Sequence, residues 1–314
     1  MHFWATRQKK KVNKSPFAWL LPWRYDTLMN FNSIEKITDK SFQSPEYLHP
    51  IVAQAAIEAQ KLKKESAIDP NQFIGVYGEH AVARDLKYVE ERKKLFSNED
   101  SVEKKWAGVL EAIFYQHAEQ SNWLGDDAHT ILASEFDDIA HGIDVAVRVG
   151  GSERPFPYLG LGIDVTYGTT KMAKKINTIF DELDRGELGK MHYFMDPEFD
   201  QFKGELSRIP HLVVGVERSH IIELSRQWLD NEKQALAENP IQLILLREMM
   251  KQLKMFRSYA KNIGRKDIAE IYSADIDVFE PVLRDRQKMD VRNYENDRVV
   301  DALSGALTLR AAQK

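Results

Sequence analysis

The sequence predicts a mixed α/β fold of the α+β type, with a small β core inside a helical shell. Three observations predict it. Segments before residue 121 and after residue 219 carry apolar residues at helical spacing. The stretch between them switches to short, apolar, β-rich runs separated by glycine, proline or acidic turns. The resulting order is helices, then β-β-β-α-β-β, then helices, which argues for one α/β core with helical additions. On this reading the 314-residue chain divides into an N-terminal arm (1–30), a helical region (31–101), the α/β core (102–218) and a C-terminal helical region (219–314).

The arm carries Arg7, Lys9, Lys10, Lys11, Lys14 and Arg24, with no acid before Asp26. It also holds "FAWLLPW" at 17–23, far short of the roughly 20 apolar residues that cross a bilayer. No small-residue cleavage site follows, so no membrane span or signal peptide is expected. A flexible docking strap and a nucleic-acid or membrane-surface arm both stay open. Pro50 stands at a first helical turn, and "PIVAQAAIEAQKLKKE" (50–65) reads as helix. Residues 72–96 continue as helix until "SNEDS" (97–101) interrupts. Ser101 caps a helix over 102–121, with Trp106, Val109, Leu110, Ile113 and Phe114 at helical spacing. Then "TILASEF" (130–136), "GIDVAVRV" (142–149) and "YLGLGIDVTY" (158–167) read as three sequential antiparallel strands. A helix follows over 170–185, with Met172, Ile176, Ile179, Phe180 and Leu183 on one face. "KMHYFM" (190–195) and "HLVVGVE" (211–217) are two more strands split by a polar loop. The unbroken apolar run of the last predicts a central strand. Beyond it come a helix at "SHIIELSRQWL", another with Asn239 as cap and Pro240 in its first turn, and a final one over 296–312. The Met and aromatic positions in 245–259 read as helix packing.

Composition excludes several chemistries. Hydrophobic residues make up 43% and charged residues 29%, enough for a packed core. The absence of cysteine removes disulfides, thiolate zinc sites and cysteine nucleophiles, and fits a cytoplasmic protein. The net charge of −4 argues against non-specific coating of nucleic acid. Lysine stretches at 61–65, 90–96 and 103–106 are interleaved with acids and read as solvated helix faces. Neither a GxxxxGK[ST] phosphate loop nor a G-x-S-x-G elbow is present.

One pattern carries chemistry. "GIDVAV" and "GIDVTY" place Asp144 and Asp164 on consecutive predicted strands, each amid apolar neighbours. Paired as a hairpin, those strands bring two carboxylates together, and two desolvated carboxylates cannot both stay ionised without help. A divalent cation, Mg²⁺ or Mn²⁺, is the usual help. Period 2 puts Thr166 on the same strand face as Asp164. Glu111 lies on the preceding helix; Glu135, Asp137, Asp138 and His141 crowd the turn; Lys171, Lys174 and Lys175 open the next helix. Asp138, His141 and Asp144 form an alternative metal cluster of phosphohydrolase type, but no second His-Asp cluster completes it.

The order of these elements resembles the PD-(D/E)XK nuclease superfamily over about residues 102–217. The resemblance implies a restriction-endonuclease-like αβββαβ core. Glu111 would be the helix acid, Asp144 the strand acid, and Asp164-Val165-Thr166 the acid-x-Lys element. It further implies Asp144, Asp164 and Glu111 as ligands of Mg²⁺ or Mn²⁺, and hydrolysis of phosphodiester bonds in nucleic acid, DNA first. Thr166 stands where the family has Lys, and threonine carries no positive charge. Lys171 or Lys174 would then serve from the following helix. Glu79 is the other candidate for the helix acid. The alternative is an inactive nuclease-like fold that binds nucleic acid or protein, with the C-terminal helices as a docking or homodimer surface.

Overall fold

The computed structural model describes residues 47–95, 101–149, 159–166, 172–196, 202–294 and 297–311. The basic arm, Lys171 and the side chain of Asp164 lie outside the described residues. Residues Ser44–Lys314 form one compact unit that contains all the elements below.

Helix α1 (Pro50–Ser66) starts with proline in its first turn, as expected, and His49 accepts a hydrogen bond from the Ile51 amide. The predicted continuous helix over 72–96 is instead three pieces. These are a 3-10 turn (Pro70–Phe73), α2 (Ile74–Tyr77) and α3 (Glu79–Leu95). Gly78, at φ 84°, breaks the run with a backbone conformation that suits glycine. Helix α4 (Val102–Gln120) begins where Ser101 accepts from the Lys104 amide.

Four strands form the main sheet: β1 (Ala128–Leu132), β2 (Val145–Val149), β3 (Leu159–Thr166) and β6 (His211–Gly215), in spatial order β1-β2-β3-β6. The first three pair antiparallel and β6 runs parallel to β3. Helix α6 (Met172–Arg185) lies between β3 and β6 in sequence, supplying the crossover a parallel pair needs. Side chains alternate across the sheet. Val145, Val147 and Val149 join the main core with Ala128 and Leu132, while Ala146 and Ile131 join a smaller core behind.

The main core is closed by α1, α4, α6 and the C-terminal helices. The latter are α7 (Arg218–Leu229), α8 (Lys233–Ala237), α9 (Ile241–Asn262), α10 (Lys266–Arg286) and α11 (Arg298–Ala311). Met249, Met250, Phe256 and Tyr259 of α9 are buried in it, as packing residues should be. A two-stranded sheet, β4 (Gly189–Met195) with β5 (Lys203–Ile209), covers the smaller core.

Three sequence expectations are corrected. The strand expected over 130–136 ends at Leu132, and helix α5 (Glu135–His141) takes up the rest. Ser134 caps α5, accepting from the Asp137 amide at 3.1 Å and donating to its carboxylate at 2.7 Å. Gly142, left-handed at φ 69°, ends it. The polar loop expected between the last two strands contains β5, whose side chains are largely exposed and so show no apolar alternation. Lastly, among the described residues β6 is an edge strand and not a central one. It is fully buried because α9 covers its free edge. Gln252 accepts from the Val213 amide at 2.9 Å and donates to the Val213 carbonyl at 2.6 Å, and Glu248 accepts from the Gly215 amide at 3.1 Å. The opposite edge is treated similarly: Glu119 of α4 accepts from the Thr130 amide at 3.1 Å.

Candidate functional site

The site is built at the junction of α1, α4, α5 and β2. Asp144 immediately precedes β2, and its carbonyl accepts from the Ala133 amide at 3.0 Å, extending the β1–β2 ladder. The β2–β3 register runs from Arg148 opposite Gly160 to Val145 opposite Ile163. One step further sets the Asp144 backbone opposite that of Asp164. The Asp164 backbone itself pairs with Val213 of β6. So the hairpin that sequence spacing implied does form, and it juxtaposes the two Gly-Ile-Asp-Val repeats.

Glu111 projects from the buried face of α4 and is 5% exposed. Lys63, from the last turn of α1, pairs with it at 2.6 Å. Asp138 of α5 is hydrogen-bonded to Asp144. These four side chains interact as one electrostatic group. Burial, with Asp144 and Asp138 nearby, raises the Glu111 carboxyl well above the carboxylate range, against the pull of Lys63. Burial and then Asp144 push Asp138 up to about 7, against Lys63 and Lys175. Burial pulls Lys63 down, but Glu111, Asp138 and Asp144 together outweigh it and raise its pKa, so it stays charged. Three carboxyl groups this close cannot all ionise without more positive charge than Lys63 and Lys175 supply. A divalent cation is one way to supply it, and carboxylate oxygens suit Mg²⁺ or Mn²⁺. Among the described residues no three acidic or histidine side chains are already spaced as a metal site.

The neighbouring Asp137 has a different task. It is fully buried and accepts from Ser134 Oγ, from the His192 and Tyr193 amides at 2.6 and 3.1 Å, and contacts His141 Nδ1 at 2.8 Å. It pins α5 to β4, which leaves Asp138, one residue on, to meet Asp144. His141 is therefore engaged by Asp137, and the alternative Asp138–His141–Asp144 grouping gains no support from that contact.

Of the residues singled out in the sequence, the structure brings Glu111 and Asp144 into one group. Thr166 is buried at the end of β3, with its backbone paired to Gly215. Lys174 is exposed on α6, while the half-buried Lys175 is the α6 lysine whose charge reaches Asp138. Glu79 is exposed at the start of α3. Lys63 was not among the site residues expected, because its stretch reads as a solvated face. Its phase gives the signal: Val52, Ala55, Ala56 and Ala59 form the buried stripe of α1, and Lys63 stands four residues after Ala59. Comparisons of the chain with protein-family models, with curated proteins and with solved structures give no match.

Proposed function

We propose that the protein hydrolyses phosphodiester bonds in nucleic acid, DNA first, with a divalent cation held by Asp144, Asp164 and Glu111. The observation that carries this reading is the convergence of the Glu111, Asp138 and Asp144 carboxyl groups at the end of the β2–β3 hairpin. The succession α4, β1, β2, β3, α6, β6, with β6 parallel to β3, supports a restriction-endonuclease-like core, into which α5 is inserted between β1 and β2 and the β4–β5 pair between α6 and β6. A bound Mg²⁺ or Mn²⁺ would supply Lewis-acid stabilisation of the phosphoryl oxygens and a more acidic water. The chain's own residues do the rest. Asp144 and Glu111 would orient the reacting groups, and Asp138, its carboxyl pushed up to about 7 by burial and by Asp144, would take a proton from the attacking water. The water oxygen forms a bond to phosphorus as its proton passes to Asp138, the bond from phosphorus to one sugar oxygen breaks, and that oxygen leaves with a proton taken up from solvent.

The test is calorimetry of Mn²⁺ and Mg²⁺ binding, followed by cleavage of supercoiled plasmid, single-stranded DNA and RNA. Saturable binding that Asp144→Asn and Asp164→Asn each abolish, with cleavage lost in the same variants, is the expected result. Wild-type protein that neither binds metal nor cuts would refute the proposal. One observation favours a second reading: the Lys63–Glu111 ion pair already supplies Glu111 with a counter-ion. On that reading the fold is an inactive binding module, and Asp144→Asn leaves its nucleic-acid or protein binding unchanged.

A further inference from the structure

The proposed chemistry lacks one part. Phosphoryl transfer develops negative charge on the oxygens about phosphorus, and a positioned cation lowers that cost. Thr166 has no charge to offer, Lys174 is exposed on α6, Lys171 lies outside the described residues, and Lys175 acts on Asp138 through its charge, whereas Lys63 pairs directly with Glu111. We propose that Lys63, reaching into the carboxylate group from α1, supplies the positive charge that contacts the scissile phosphate. The inference rests on the hydrolase reading above.

Four observations carry it. Lys63 Nζ lies 2.6 Å from Glu111 Oε2, inside the group that contains Asp138 and Asp144. Its side chain is 35% exposed, so the residue stands at the margin of the carboxylate group and is not sealed into the core. It occupies a position on the buried stripe of α1, where an apolar residue would continue the packing of Val52, Ala55, Ala56 and Ala59. That stripe packs on α4, the helix bearing Glu111, so the lysine and the carboxylate are carried on two helices fixed against each other. A cation held this way is preorganised, which is what makes its charge effective in the transition state. Neighbouring Lys61 and Lys64 are exposed and fall off the stripe.

A purely structural ion pair predicts different behaviour, and the two separate experimentally. The full-length chain is compared as wild type, Lys63→Met, Lys63→Arg and Lys64→Met. The readouts are plasmid cleavage, Mn²⁺ calorimetry and thermal unfolding. Lys63→Met is expected to slow cleavage by roughly 100-fold or more. Its Mn²⁺ affinity should be equal or tighter, because a cation beside the ligands is gone. Lys63→Arg is expected to recover part of the rate, and Lys64→Met to match wild type. Lys63→Met that cuts at the wild-type rate would overturn the inference alone. So would a loss of Mn²⁺ affinity in parallel with rate in both Lys63 variants, which would mean that Lys63 only holds Glu111 in place. Wild-type protein that gives neither Mn²⁺ binding nor cleavage would overturn the hydrolase reading and this inference together.

Discussion

Replacing Gly215 by alanine tests how the site is framed. Gly215 ends β6 and pairs with Thr166, two residues beyond Asp164 on β3. A Cβ at this position would sit 2.3 Å from the Thr166 carbonyl oxygen, 3.0 Å from its carbonyl carbon and 2.9 Å from its methyl carbon. Cβ contacts under 3.0 Å do not persist, and here the obstacle is backbone, so no rotamer change relieves it. The two strands must part by about 0.7 Å at least. Overpacking of this kind costs roughly 1–3 kcal/mol, and each loosened ladder or Glu248 hydrogen bond adds about 1 kcal/mol. The expected loss is therefore roughly 3 kcal/mol, or roughly 6–12 °C in Tm for a unit of this size. Gly162→Ala is the control. Its Cβ would meet Ile143 Cδ1 at 2.7 Å and Cγ1 at 2.9 Å, a side chain and not backbone, so the loss should be smaller, roughly 1–2 kcal/mol. Urea unfolding of both variants gives the comparison. A Gly215→Ala protein as stable as wild type, or a loss in Gly162→Ala as large as in Gly215→Ala, would refute the reasoning.

Three further outcomes follow from particular residues. Asp137→Ala should cost roughly 3 kcal/mol or more, because it strands the Ser134, His192 and Tyr193 donors in a buried place; a denaturant midpoint near wild type would contradict the role given to Asp137. Glu248 is buried and its carboxyl is raised well above the ordinary 4.5 by burial, so its contribution is fully present below about pH 4.5 and is lost as pH rises toward the folded value. Glu248→Gln removes that loss, so its stability relative to wild type should grow from pH 5 to pH 8, and parallel urea midpoints would count against it. Gly108→Ala, in the interior of α4 with nothing within 4 Å of the added Cβ, should stabilise by up to about 1 kcal/mol in the same assay.

Much of the core was legible in the sequence because the periodicities were strong. The α4 stripe, the pair of Gly-Ile-Asp-Val strands and the amphipathic α6 all announce their class, and the hairpin spacing anticipates Asp144 opposite Asp164. The short helix α5 was hidden by its length: seven residues give too little period, although Ser134 three before Asp137, and Gly142 after His141, mark both ends. Strand β5 was hidden because one face of a two-stranded sheet is wet and its pattern is polar. The apolar run of β6 reports burial, and burial by a helix across its edge looks the same in sequence as burial between two strands. Lys63 escaped for a different reason. Charge interleaving was read locally, whereas its position is set by the phase of the stripe four and eight residues earlier.

The treatment of the two sheet edges bears on how anything else attaches to this protein. An exposed strand edge invites β-augmentation, whether by a bound peptide, a continuous sheet across two copies or an amyloid-like stack. Here Glu119 occupies the β1 side at Thr130, and Gln252 with Glu248 occupies the β6 side at Val213 and Gly215. An incoming strand would have to displace the exposed Glu119 on one side, or expel the buried Gln252 and Glu248 on the other, before making a backbone bond at those positions. Strand addition to the main sheet is thereby opposed at one position on its β1 margin and at two on its β6 margin, the second more firmly because the side chains that block it are buried.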